Sequence, residues 1–150
     1  MLLACSMQLP ILHWWVHKMR QIFSEQSPYK KKARVAAVLW TLLIFVGCFT
    51  PGKDLPKVDA PLIDKWVHIV LFGGFGFLWM CAFPTRTYKW MATMLGVATA
   101  LGIAIELLQA ALPFLGRSCE WQDALADAIG AFLGICLFAL LASFLNKPAK

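Results

Sequence analysis

The stretch IDKWVHIVLFGG, residues 63–74, opens with Asp64, Lys65 and His68 and then becomes apolar enough to enter lipid. Three ionisable groups in the first two turns of such a run must sit either at a membrane surface or inside a protein interior. Acyl chains cannot solvate them, and a charge in mid-bilayer costs about 2.5–3.5 kcal/mol even on lenient insertion scales.

The rest of the chain supports a membrane setting. Its 150 residues are 60% hydrophobic and 15% charged, with a mean hydropathy of +0.67, too apolar for an ordinary soluble domain of this length. Four runs, 33–50, 62–83, 88–112 and 121–145, approach or exceed the roughly 20 apolar residues that cross a bilayer as a helix. The fold class expected is therefore all-α, a four-helix transmembrane bundle over 33–146, followed by a basic tail at 147–150. The first run reaches spanning length only if Lys32 and Arg34 snorkel toward headgroups. Residues 1–32 read as an N-terminal interfacial or cytoplasmic segment, with Trp14 and Trp15 at headgroup depth. No basic n-region or small-residue cleavage site precedes Pro10, so a signal peptide is not expected.

The net charge of +6 reflects topology more than a nucleic-acid partner. Lys18, Arg20, Lys30, Lys31, Lys32 and Arg34 precede the first span, Arg86 and Lys89 join the second to the third, and Lys147 and Lys150 follow the last. By the positive-inside rule these segments, and with them both termini, are cytoplasmic. YKKKAR, residues 29–34, is placed to meet anionic inner-leaflet lipid. On the other side Lys53, Lys57, Lys65 and Arg117 face Asp54, Asp59, Asp64, Glu106, Glu120, Asp123 and Asp127, an acidic excess. Nucleic acid is not an expected partner, since no groove-reading motif accompanies the charge. The five cysteines lack CxxC spacing, which gives neither a zinc site nor a disulfide framework. Cys48 and Cys119 both fall near the outer surface and could meet, although residues in separate helices give no spacing test.

At a rise of about 1.5 Å per residue, His68, Glu106 and Asp127 each lie roughly 9 Å below the outer rim of their helices. Asp64 and His68 are four residues apart, Glu106 and Gln109 three, and Asp123 and Asp127 four, so each pair shares a helix face. Small residues mark where those faces meet: FGGFGF at 72–77, Gly102 one turn before Glu106, and Ala126, Gly130 and Gly134 at four-residue spacing. The expectation is one polar layer shared by the last three spans. Blander readings compete with it. Lys65 and Asp64 would also serve as rim residues, Asp64 as a helix cap, and Glu106 as a structural hydrogen-bonding group. Met80, Met91, Met94 and the scattered aromatic residues read as packing or lipid-facing side chains.

Taken in order, DKWVHIVLFGGFGF, GIAIELLQ and GRSCEWQDALADAIGAFLG resemble the VanZ-like family of small bacterial membrane proteins over residues 62–135. Asp64, Lys65, His68, Glu106, Gln109, Arg117, Asp123 and Gly130 match the family pattern, while Asp127 stands where the family usually has Asn. The resemblance implies a multi-pass protein of the bacterial cytoplasmic (inner) membrane, in a family named for a link to teicoplanin resistance but without an established molecular activity.

Two functional classes follow. In the first, Lys65 and Arg117, with Gln109 and Asp127, bind the head group of an envelope lipid or lipid-linked cell-wall precursor, and Asp64, His68, Glu106 and Asp123 orient it or perform acid–base work. In the second, the layer is a structural network in a membrane scaffold whose partners are other membrane proteins or itself. No nucleophile motif, phosphate loop or HExxH occurs, so turnover is left open. No cofactor and no metal is expected, because carboxylates and an imidazole spread over three helices have no diagnostic ligand spacing.

Overall fold

Among the described residues of the computed structural model, five helices follow one another: α1 (Pro10–Ile22), α2 (Lys30–Phe49), α3 (Ile63–Ala82), α4 (Tyr88–Ala111) and α5 (Trp121–Leu145), with a 3-10 turn at Pro113–Leu115 before the last. The structure describes residues 10–51, 62–117 and 120–146, and of residues 10–13 the backbone alone. Cys119, the basic tail and the first nine residues of the interfacial segment lie outside the described residues, so the suggested Cys48–Cys119 bridge is not addressed; Cys48 itself carries a buried thiol.

Helices α2 to α5 are each long and apolar enough to cross a bilayer. At about 1.5 Å per residue, even the 20-residue α2 and α3 match the roughly 30 Å hydrocarbon layer. Their outward faces are apolar as well: Val35, Leu39, Leu42 and Val46 on α2 and Leu133, Leu137, Leu140 and Phe144 on α5 are all exposed. In water this would be a long hydrophobic patch; against acyl chains it is the expected surface. Helix α2 starts at Lys30, three residues ahead of the expected boundary, because lysines are good helix formers and can extend their ammonium groups away from the apolar stretch. Helix α1, at 13 residues, is shorter than a span and displays Trp14 and Trp15. Lys18 lies 4.4 Å from the Trp14 ring centroid.

The alternation of direction brings Phe49, Ile63, Ala111 and Trp121 to one end, here termed the acidic end, and Lys30, Ala82, Tyr88 and Leu145 to the other. At the latter, Asn146 Nδ2 donates to the Phe23 carbonyl at 3.3 Å, and the Arg34 guanidinium lies 4.7 Å from the Phe83 ring centroid. Phe23 joins Met80, Cys81, Ile135, Phe138 and Ala142 in a buried cluster there.

Helices α3 and α5 form the central pair. Their glycines bring backbone against backbone: a Cβ on Gly130 would overlap the Ile69 carbonyl, and one on Gly134 would overlap the Gly73 carbonyl. Such contact is open only to residues without side chains and is a usual means of helix association where burial from water supplies little drive. Helix α2 covers α3 through Trp40, whose ring sits over Gly74 and whose Nε1 donates to the Leu71 carbonyl at 2.7 Å. Helix α4 closes the other side of α5, and the register of these contacts decides which side chains meet at the acidic end.

Candidate functional site

The first turns of α3 and α5 and the last two turns of α4 converge at the acidic end. Leu62, with φ 60°, precedes α3 as its cap residue, so Asp64 lies inside the first turn and is not itself the cap. It still benefits from the exposed N–H groups of that turn. Next to it the Lys65 ammonium meets three carboxylates: Asp64 at 2.7 Å, Glu120 at 2.6 Å and Asp123 at 2.5 Å. The Lys65 side chain is 16% exposed while those of Asp64 and Glu120 are 54% and 42% exposed. Lysine thus lies between the rim and the interior and gathers α3 and α5 around one charge.

One turn deeper, His68 Nδ1 and Asp127 Oδ1 are 2.8 Å apart, and Asp127 is wholly buried. Space for that carboxylate comes from Gly102 on α4, where an added Cβ would lie 2.6 Å from Asp127 Oδ2. With Nδ1–H donating to Asp127, a neutral ring presents its lone pair at Nε2, which lies 3.9 Å from Asp123 Oδ2. Glu106 completes the floor: its Oε2 accepts from the Glu120 backbone N–H at 3.0 Å, and its Oε1 is buried with no hydrogen-bond partner among the described residues. Ligating atoms of His68, Glu106 and Asp123 all fall within 4.8 Å of one another. The layer read from helix depth is therefore physical contact.

Gln109 and Arg117 occupy a different position. Gln109 Nε2 donates to the Cys48 carbonyl at 2.8 Å, and Arg117 donates to the carbonyls of Gly47 and Cys48 at 3.2 and 3.1 Å. Both thus satisfy carbonyls in the last turn of α2, which lack intrahelical partners. Gly116, with φ 59°, makes the left-handed turn that leads into Arg117. Because two side chains share one carbonyl, Arg117→Ala or Gln109→Leu alone should cost about 0.5–1.5 kcal/mol, and the pair together more than the sum. Thermal unfolding of the four proteins in one detergent measures this; strict additivity would show that the two donors act independently.

Glu120 was legible only as an outer-side acid, yet it pairs with Lys65 and its backbone holds Glu106. Its place three residues before Asp123, at the cap of α5 and beside the first turn, was the available signal. Gly102 was legible as a helix contact, but its role as the seat of the Asp127 carboxylate needed the register of α4 on α5.

A bundle of four bilayer-length helices with an acidic, lysine- and imidazole-containing layer at one end defines a small multi-pass membrane protein. Within that class, the VanZ/LLP1 family model matches residues 11–142, and the chain belongs to this family. The match extends past 62–135 to include α2 and most of α1. Neither a curated protein nor a solved structure shows a match.

Proposed function

We propose that the acidic end faces outward from the bacterial cytoplasmic membrane, with both termini cytoplasmic, and that its polar layer holds the head group of an envelope lipid or lipid-linked cell-wall precursor. The carrying observation is the descent from exposed Asp64 and half-buried Glu120, through Lys65, to the buried Glu106 carboxylate, one oxygen of which has no hydrogen-bond partner among the described residues. Such a slope lets a polar head group enter from water while its chains lie along exposed Trp66, Val70 and Leu107. Carboxylates dominate the floor, while Lys65 and Arg117 have partners within the protein. The head group best suited is therefore rich in hydroxyl, amide or ammonium donors, as an amino sugar is. Lipoglycopeptide resistance, including teicoplanin resistance, fits this reading as a consequence of occupying or altering such a target.

Mass spectrometry of lipids retained through purification tests the proposal. The natural chain should carry a donor-rich lipid or precursor that Glu106→Gln loses about tenfold or more, the discrimination expected when a buried polar partner is mismatched. Identical lipid profiles at equal protein yield would refute it. A scaffold role is the second reading, favoured by the way Gln109 and Arg117 knit α4 and the turn before α5 to the end of α2. Under that reading Glu106→Gln would act only through protein abundance.

A further inference from the structure

We infer that His68, Glu106 and Asp123 form a binding site for a divalent metal ion of the Zn2+ or Mn2+ type. Their ligating atoms lie within 4.8 Å of one another. An ion bound at about 2.0–2.2 Å from each can bridge such a spread with small side-chain adjustment. The site is built from three helices, and the absence of a metal motif in the sequence follows from that: its ligands are too far apart along the chain for spacing to reveal them.

Acidic side chains alone would not carry this inference; three further features do. Glu106 is 3% exposed, one of its oxygens is anchored by the Glu120 N–H, and the other is buried with no hydrogen-bond partner among the described residues. A buried anionic oxygen in that state is costly unless a cation or proton meets it. His68, in turn, is held from behind by Asp127 at 2.8 Å, so that Nε2 faces the carboxylate side. A carboxylate behind the imidazole is the usual arrangement around metal-binding histidines, since it fixes the tautomer and raises the basicity of the ligating nitrogen. Finally, the neighbouring acidic set of Asp64, Glu120 and Asp123 differs in kind, because the Lys65 ammonium already stands among its oxygens at 2.5–2.7 Å. Asp123 belongs to both sets, with Oδ1 on Lys65 and Oδ2 toward His68 Nε2.

The donor set indicates the type of ion. One imidazole with two carboxylates lies between the all-oxygen shells of Ca2+ or Mg2+ and the thiolate-rich shells of structural zinc. Three protein ligands leave coordination positions for water or for a ligand oxygen. With an ion on Glu106, a head group would be met through the ion's open positions and the remaining carboxylates, so the inference goes beyond the head-group reading; its test uses the ion alone.

Mn2+ serves as the probe, with the full chain in lipid nanodiscs. Electron paramagnetic resonance should show one saturable Mn2+ per chain, displaced by Zn2+, with a nitrogen modulation from one directly bound imidazole. His68→Gln should abolish the modulation. Asp127→Asn, which touches the ring and not the ion, should weaken binding about 10–100-fold, and Glu106→Gln by at least as much. His17→Ala, on exposed α1, should leave binding unchanged. No saturable binding of either ion, nitrogen modulation that survives His68→Gln, or equal affinity in Glu106→Gln would each overturn the site. The modulation in the natural chain needs no variant, so a folding defect in a mutant leaves the test intact.

Discussion

Gly134→Leu is expected to yield no folded protein, and Gly134→Ala to lose about 1–3 kcal/mol or more. Even the alanine methyl would overlap the Gly73 carbonyl oxygen and lie 3.0 Å from the Phe77 backbone nitrogen, so it meets main chain that cannot rotate aside. Relief requires α3 and α5 to separate, and that separation also parts His68 from Asp127. Gly47 and Gly96 provide the contrast: among the described residues nothing lies within 4 Å of a Cβ there, and helix propensity favours alanine over glycine by about 0.5–1 kcal/mol. Thermal unfolding in detergent, followed by size-exclusion chromatography, separates the two cases. A Gly134→Ala chain as stable as the natural one would show that the two backbones do not approach this closely.

His68→Ala carries the second large effect. Removing the imidazole leaves Asp127 wholly buried and without the partner of its Oδ1. Loss of one member of a buried ion-pair-type contact costs about 3–5 kcal/mol, most of it the penalty on the group left behind. Asp127→Asn should be far milder, about 1 kcal/mol, because an amide oxygen can still accept from Nδ1–H and a buried charge is removed. Adding Asp127→Ala to His68→Ala should therefore recover stability, since no buried carboxylate remains to be solvated. A double-mutant cycle measures the coupling, and a double variant less stable than His68→Ala alone would contradict the pairing.

Much of the fold was legible because bilayer thickness and helix rise fix the problem in one dimension. The boundaries of α3, α4 and α5 lie within one residue of the expected runs, while α2 departs by three at Lys30, where charged residues continue a helix that hydropathy alone would end. The shared depth of His68, Glu106 and Asp127 follows from the same arithmetic. Rotation about each helix axis and the path of the connecting turns are a different matter. Nothing local told Arg117 and Gln109 to turn toward the Cys48 carbonyl, or brought Glu120 and Asp64 to one ammonium. Lys65 and Glu120 are 55 residues apart, and their meeting depends on the close approach of α3 to α5. Asp64 likewise looked suited to cap α3, but the cap falls two residues earlier, at Leu62.

Asp127, set by the resemblance against an expected asparagine, has a physical setting in the structure. As a carboxylate it accepts from His68 Nδ1–H and orients Nε2 toward Glu106 and Asp123; an asparagine can accept the same bond but brings no charge to the ring. Asparagine at this position would thus change the chemistry of the imidazole more than the packing around Gly102.

The most direct test of the shared layer is magic-angle-spinning NMR of the full chain in lipid bilayers, with 15N-labelled histidine and 13C-labelled aspartate and glutamate. Strong dipolar recoupling is expected between His68 Nδ1 and the Asp127 carboxyl carbon, as their 2.8 Å nitrogen–oxygen contact requires, with a weaker contact from the ring to Glu106. A His68 ring showing no recoupling to either carboxyl carbon, in a sample whose backbone signals report intact helices, would contradict the meeting of these three helices in one polar layer.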